Sequence, residues 1–429
     1  QLARYRAGEL DEDVFKVFRL ANGVYGQRQG GHNQMIRIKA PYGAISPVQL
    51  EKIADLSERY SRGWGHLTTR QNVQLHFVQL EQVPELLWEL AAEGLTTREA
   101  CSDTVRNVMG CHLAGACPHE VLDIQPWAEA TFRHFLRNPV SQRLPRKFKI
   151  NFSGCVTDCG QAMFNDVGVV AVTRSTPDGG TEPGFRVFVA GGLGANPHPA
   201  LALEEFTPRH ELLPTIEACV RVFEQAGNRN NKLRARMKWL VDELGFEELQ
   251  RRILASRKFL LASSSWPGGI PAVVDEWGDA PAGAGTGPVT AVGQGVPVFV
   301  TGTTAFQRWE QANVVRGVAR GTVSALAWSR LGDVTAEQFR GLAAIARDLD
   351  VEVRITNRQN FVFRGLAERQ LEELFGRLDA LGMAQPGAEL ARDVDDAARV
   401  HAVEAGAAEV DAAADDDGGL PCARELDGA

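Results

Sequence analysis

Four cysteines fall into two short-range pairs. Cys111 and Cys117 are separated by five residues in Cys-His-Leu-Ala-Gly-Ala-Cys, and Cys155 and Cys159 by three in Cys-Val-Thr-Asp-Cys. Two such pairs can converge on one tetrahedral ion or on one cubane cluster. Structural zinc usually leaves two to four residues between paired thiols, which the first pair exceeds. Buried structural thiols are the plainer alternative, because free cysteine is among the most buried residue types. Gly110, Gly115, Gly154 and Gly160 flank the pairs, allowing tight turns and close backbone approach to a bulky group. Cys101, Cys219 and Cys422 stand at no ligand spacing and are read as non-ligands.

Basic residues crowd the same region. Lys147 and Lys149 alternate with Phe148 and Ile150 shortly before the second pair, so both lysines face one side of a strand. That face suits a cleft wall and equally an exposed edge strand. Arg70 lies in the segment 66–77, read as one strand, and alone it would be an ordinary solvated arginine. The pattern Thr-x-Arg-Gln-Asn around it, Thr68 to Asn72, returns at Thr356 to Asn360 with Arg358 in the same place. A repeated arginine fork, suited to oxyanions, favours function over decoration. The basic run 228–238 could reach carboxylates of a bound cofactor, but such a run is more often a solvated helix face, and it is not taken as a site. His32, His66, His76, His112 and His119 could donate protons, but no spacing among them makes a metal or triad pattern.

The elements that must position these groups occur twice. Gln34 to Lys39 alternates like a half-buried strand, and Ser46-Pro47 opens an amphipathic helix through Tyr60, with Ser46 as its cap. A strand over 66–77 and a helix from about Pro84 to Glu93 follow. Later, 334–346 parallels 45–56 and 353–363 parallels 66–76. A period this long means a duplicated α/β module rather than a solenoid. The cysteines lie between the copies, in a region that ends in a helical stretch 208–261, interrupted near Gly227. Residues 266–304 are rich in Gly, Pro, Ala and Val, as a linker would be, and the Ala- and Asp-rich tail 389–429 has too few large apolar residues to fold.

The 429 residues suffice for two to four domains. A net charge of −8 argues against a general nucleic-acid binder. The duplicated copies also lack the aromatic residues of single-strand readers on the matching strands. No apolar run is long enough to cross a membrane, and the N-terminus has no secretory pattern, so the expected location is the cytoplasm.

Taken together, Cys-x5-Cys with Cys-x3-Cys, Leu67 to Gln74, Asp103 to Val108, Pro145 to Lys149, and Ile355 to Asn360 resemble the haemoprotein family of sulfite and nitrite reductases over roughly residues 25–385. The resemblance implies an α/β (α+β) fold with duplicated ferredoxin-like half-domains and an α/β sirohaem/[4Fe-4S] module in a pseudo-twofold arrangement. The implied divisions are 1–97 for an extension and the first half-domain, 98–265 for the cofactor module, and 305–388 for the second half-domain. It implies a [4Fe-4S] cluster on Cys111, Cys117, Cys155 and Cys159, with Cys159 bridging to sirohaem. Arg70, Arg106, Lys147 and Lys149 match the family's anion-binding residues, and Arg70, Arg106, Asn72 and Arg358 would face the macrocycle. Sirohaem carries eight carboxylates and the substrate is itself anionic, so a pocket without such cations would repel both. The implied reaction is six-electron reduction of nitrite or sulfite, with electrons from ferredoxin or a flavoprotein.

One departure stands out. No second Cys-x5-Cys or Cys-x3-Cys follows, and the composition changes abruptly near Leu390. The expectation is a second half lacking its cofactor module. A cofactor-binding but catalytically incomplete subunit, or a truncated remnant, is the alternative to a working reductase.

Overall fold

The structure, a computed structural model, describes residues 1–29, 32–263, 303–317 and 321–389. The expectations for a linker at 266–302 and a tail from 390 onward lie outside these residues. Thr303 and Thr304, assigned above to the linker, are described. Thr304 caps a helix, accepting from the Gln307 amide at 3.1 Å.

Two helices open the chain, α1 (Leu2–Arg6) and α2 (Glu12–Ala21). Three five-stranded sheets follow. The first is antiparallel, ordered β1 (Val24–Gly26), β2 (Asn33–Ile38), β5 (Val73–Gln79), β4 (Trp64–Leu67) and β13 (Asp333–Thr335). The second repeats it as β11 (Val314–Arg316), β12 (Thr322–Ala327), β15 (Phe361–Ala367), β14 (Glu352–Ile355) and β3 (Ala44–Ile45). Each sheet therefore borrows its last strand from the other copy. Val334 pairs with Gly65, and Ile45 pairs with Val353.

The exchange is set locally. Both borrowed strands run straight into a helix, α3 (Pro47–Tyr60) or α10 (Ala336–Asp348). Both helices open on a capping box, Ser46 with Gln49 and Thr335 with Gln338, which satisfies amides that a helix start leaves unpaired. Before each strand sits a left-handed glycine. A Cβ on Gly43 (φ +80°) would stand 2.2 Å from the Ile355 carbonyl, so only glycine lets the copies approach this closely. Leu50, Ile53, Phe339, Leu342, Phe361 and Phe363 then share one continuous core. The helices α4 (Val83–Ala92), α9 (Ala305–Asn313) and α11 (Leu371–Ala380) add to it.

The third sheet is mixed, ordered β10 (Leu201–Thr207), β9 (Thr181–Val189), β8 (Val167–Ser175), β7 (Ile150–Ser153) and β6 (Met109–Gly110). Strands β6, β7 and β8 are parallel, and β8 to β10 antiparallel. Phe148, Ile150 and Phe152 pack with Ile216 and Phe223 of α6 (Leu212–Ala226). Helices α5 (Gln125–Phe135), α7 (Lys238–Leu244) and α8 (Phe246–Ala262) complete this layer.

Three local readings change. The segment 66–77 is two strands, and Thr68 to Asn72 forms the turn between them. The Thr68 hydroxyl accepts from the Arg70 and Asn72 amides at 3.2 Å, and Gln71 takes a left-handed φ of 56°. The run 228–238 is largely irregular, with only a short 3-10 turn at Lys232–Arg234 before α7 begins at Lys238. Lys147 and Lys149 precede β7, joined to the sheet through the bridge of Phe148 to Val105.

Because the first two sheets share one core, Phe339→Ala should destabilise both copies by about 3–5 kcal/mol. Urea unfolding followed by separate probes in each copy should show a single transition moved to lower denaturant. Two separate transitions would contradict the shared core.

Candidate functional site

The two cysteine pairs converge because β6 and β7 are parallel neighbours. Met109 pairs with Asn151 and Gly110 with Phe152, so Cys111 and Cys155 leave adjacent strands at their carboxyl ends. The carboxyl ends of parallel strands are where α/β sheets bind ligands. The Cys111 amide still donates to the Phe152 carbonyl at 2.9 Å. Cys117 and Cys159 come back on two compact loops, and all four cysteines line one pocket with Leu113, His119 and Glu120.

Asp158 fixes the second loop. It adopts φ 55° and its carboxylate accepts from the Ser153 hydroxyl at 2.6 Å and from the Ala162 and Met163 amides at 2.7 and 3.2 Å. Gly160 allows the close return, since a Cβ there would stand 2.0 Å from the Phe152 carbonyl. Gly110 and Gly160 thus admit the chain's own atoms, which corrects the expectation that these glycines make room for a cofactor. The first loop rests on the second copy. The Ala114 carbonyl accepts from Gln125 at 2.7 Å and from Arg364 of β15.

Burial sets the chemistry of the thiols. It pushes Cys117 up to about 12, and Cys111, which donates to Cys159, is raised as well; accepting that bond lowers Cys159. Such a pocket disfavours bare thiolates, and bound iron supplies the charge that reverses this. Among the described residues no three His, Cys, Asp or Glu side chains stand close enough to hold a single metal ion. Four thiols converging on one pocket are the donor set that a [4Fe-4S] cluster takes. Burial also raises Glu120, beside the pocket, to about 7.

The cations gather next door. Arg70, Arg106, Lys147 and Lys149 line one small cavity of about 10 Å³ with Thr68 and Asn72. That is room for about one water-sized group. Neutral oxygens position both forks: Arg70 donates to Asn151 and Asn165 side chains and to the Asn107 carbonyl, and Arg106 to the Ala100 and Ser102 carbonyls. Arg37 of β2 also lines it, unforeseen from sequence. The signal was there, since Arg37 and Lys39 share the strand face opposite Ile36 and Ile38.

Arg70, Lys147 and Lys149 also border a cavity of about 710 Å³. That size lies within the roughly 300–1,000 Å³ of small-molecule and cofactor pockets. Lys232, Arg236 and Lys238 line it too, so the run 228–238 is part of the site and not a solvated helix face. Asp166, fully buried, holds Arg236 at 2.8 Å and accepts from the Lys149 amide at 2.9 Å. Both turns reach this cavity through the residue before the arginine, Thr69 in one copy and Asn357 in the other. Asn357 also donates to the Cys159 carbonyl at 2.7 Å, joining the second copy to the cysteine loop.

Arg358 departs from the expected placement. It pairs with Glu389 at 3.6 Å, is half exposed and lines neither cavity, although its charge still acts on Cys159. Of the histidines, His119 lines the cysteine pocket and His66 meets Asp333 at 2.8 Å; none lines the small cationic cavity.

Comparisons with known proteins agree with this geometry. Residues 101–258 match the family model described as nitrite and sulphite reductase 4Fe-4S domain, and residues 25–93 and 327–381 the nitrite/sulfite reductase ferredoxin-like half domain. An assimilatory ferredoxin-dependent nitrite reductase of Haloferax mediterranei is 34% identical over 244 residues, covering 54% of this chain and 42% of that protein. A sulfite reductase [ferredoxin] of Mycobacterium tuberculosis is 30% identical over 380 residues, covering 84% of this chain and 61% of its own. The solved structure of the Mycobacterium tuberculosis NirA protein superposes with a TM-score of 0.70 at 26% identity, covering 88% of this chain and 65% of that one. The chain thus spans about half the length of the curated relatives it matches.

Removing the Asp158 carboxylate should loosen the loop that carries Cys155 and Cys159. Asp158→Ala is expected to lower stability by about 2 kcal/mol, the worth of its charge-assisted bonds, and to reduce iron and acid-labile sulfide per chain. Thermal unfolding and iron analysis of anaerobically prepared protein would check both; full iron content with an unchanged melting temperature would contradict the role.

Proposed function

The chain belongs to the nitrite and sulfite reductase family, and we propose that it carries out six-electron reduction of nitrite to ammonia or of sulfite to sulfide at a sirohaem coupled to a [4Fe-4S] cluster. One observation carries the reading. One loop joins a four-thiol pocket to a cation-lined cavity of cofactor size: Cys155 and Cys159 line the first, Gln161 lines the second, and Asn357 of that cavity donates to the Cys159 carbonyl.

Cys111, Cys117, Cys155 and Cys159 would hold the cluster, with Cys159 shared with the macrocycle iron. Lys232, Arg236 and Lys238 would meet macrocycle carboxylates alongside Arg70, with Arg106 and Asn72 lining the small cavity next to it. Bound together, the two groups supply stored electrons and an iron site for the oxyanion. The chain's residues do the rest. Arg70 and Arg106 present planar forks that neutral acceptors have already oriented, so binding an oxyanion requires little further ordering. Lys147 and Lys149 add mobile point charges and exchangeable protons beside the same cavity. Developing negative charge on the substrate is favoured by donors fixed in advance.

Ferredoxin is the proposed donor, in keeping with the names of the relatives, and the cytoplasm the proposed location. No helix among the described residues is long and apolar enough to cross a membrane. We keep the functional division as 1–97, 98–265 and 305–388. A second reading, a cofactor-bearing but catalytically incomplete chain, is favoured by one observation: the 4Fe-4S domain model matches once, whereas the half-domain model matches twice.

Anaerobically isolated protein should contain about five irons, four in the cluster and one in the sirohaem, and about four acid-labile sulfides per chain, show sirohaem absorbance, and oxidise reduced methyl viologen when nitrite or sulfite is added. Cys159→Ser should lose both chromophores, and Lys147→Met should keep them while kcat/KM falls by about 100-fold. Both cofactors without turnover would favour the second reading. A colourless protein holding one zinc would overturn both.

A further inference from the structure

Beneath the small cationic cavity lies a buried ion pair. Lys39 and Glu99 are 2% and 1% exposed, and Lys39 Nζ stands 3.7 Å from Glu99 Oε2. A buried pair seldom adds net stability over apolar residues of the same volume, so its presence asks for another use. Lys39 lies two residues beyond Arg37, hence on the same strand face and one layer behind the cavity that Arg37 lines. Its backbone is bridged to Thr96, with an amide bond of 2.8 Å to the Thr96 carbonyl.

Glu99 begins the segment that ends in Arg106. It is held in the left-handed region at φ 61°, and its amide donates to the Ala21 carbonyl at 2.8 Å. Its other carboxylate oxygen, Oε1, accepts from the Arg137 amide at 2.8 Å and the Gln142 side chain at 2.6 Å. The next turn supplies the Ala100 and Ser102 carbonyls that hold the Arg106 fork. The charged groups facing Lys39 are Glu99, Arg106 and Arg70, with Arg98 at 3.9 Å from Glu99 and the Phe132 ring 5.6 Å from the ammonium.

We propose that the Lys39–Glu99 pair positions the oxyanion site, the ammonium tying the Glu99-to-Arg106 segment to β2 and adding its charge behind Arg106 and Arg70. The inference rests on the reading of the small cavity as an oxyanion site. Burial, together with the two arginines, lowers Lys39 to about 8 despite Glu99. Below that pH the ammonium is intact and anion binding is at full strength. As pH rises through it, the charge disappears and binding weakens; a bound anion, conversely, holds the proton on Lys39.

Nitrite keeps its single charge across this range and is the probe. Its Kd is read from spectral titration of the cofactor-loaded protein, without turnover. In the wild type, Kd should rise about tenfold between about pH 7 and pH 9, as the competent fraction falls. Lys39→Arg, whose charge does not titrate here, should bind as the wild type does near pH 7 and stay flat within about twofold. Lys39→Met should bind about tenfold more weakly at neutral pH, also without the alkaline limb. Glu99→Gln removes the charge that supports the ammonium while retaining an oxygen for Arg137 and Gln142, so the limb should move to lower pH. Cofactor absorbance and melting temperature verify folding of each variant, and Lys39→Arg with Glu99→Gln suffice where Lys39→Met does not fold. An unchanged limb in Lys39→Arg, or one at its wild-type position in Glu99→Gln, would sink the inference. A wild type that binds nitrite at no pH would overturn the oxyanion reading and this inference with it.

Discussion

Everything at the site depends on two short parallel strands being neighbours. β6 and β7 share only two residue pairs, Met109 with Asn151 and Gly110 with Phe152. That register nonetheless decides which side chains meet. It puts the departure points of both cysteine pairs side by side, although some forty residues of chain separate them. It also sets Asn151, one residue into β7, where it accepts from Arg70. A parallel pair requires a long crossover connection. Here that crossover contains α5, and the segment that re-enters the sheet carries Lys147 and Lys149.

Charge at the site runs against charge overall. The chain carries a net −8, yet Arg70, Arg146, Lys147, Lys149, Lys232, Arg236 and Lys238 line one cavity and no acidic side chain does. A concave, low-dielectric wall of one sign focuses its field outward and raises the local concentration of oppositely charged ligands. Asp166 shows how the concentration of cations is tolerated: fully buried, it anchors Arg236 and the backbone of Lys149 from behind the wall.

Much of this was legible in the residues. Spacing singled out the four thiols that line one pocket, the repeat identified the duplicated module, and Ser46-Pro47 marked a helix start. The turn at Thr68 to Asn72 was not recognised, although five polar residues in a row interrupt the alternation there, because its organiser is a threonine hydroxyl bonding two amides rather than a glycine or proline. Gln71, which looks incidental in sequence, bonds both Gly110 and Ile355 and so joins three parts of the fold. For Arg358, motif identity could not show a remote partner such as Glu389. For the run 228–238 the residues left two readings open, because basic residues in a helix-rich region look solvated until tertiary structure places a cavity beside Lys232, Arg236 and Lys238.

The exchanged strands carry a consequence for how such a chain could arise. Each copy is incomplete at one sheet edge, and the strand that completes it has the same geometry in both directions. A lone ancestor of one copy would have had an open β4-type edge and a spare β3-type strand, which is the recipe for a twofold pair that trades segments. Joining two such genes end to end would turn an association dependent on concentration into a permanent one. Thereafter the two copies were free to diverge, one turn keeping its arginine at the cavity and the other turning it away.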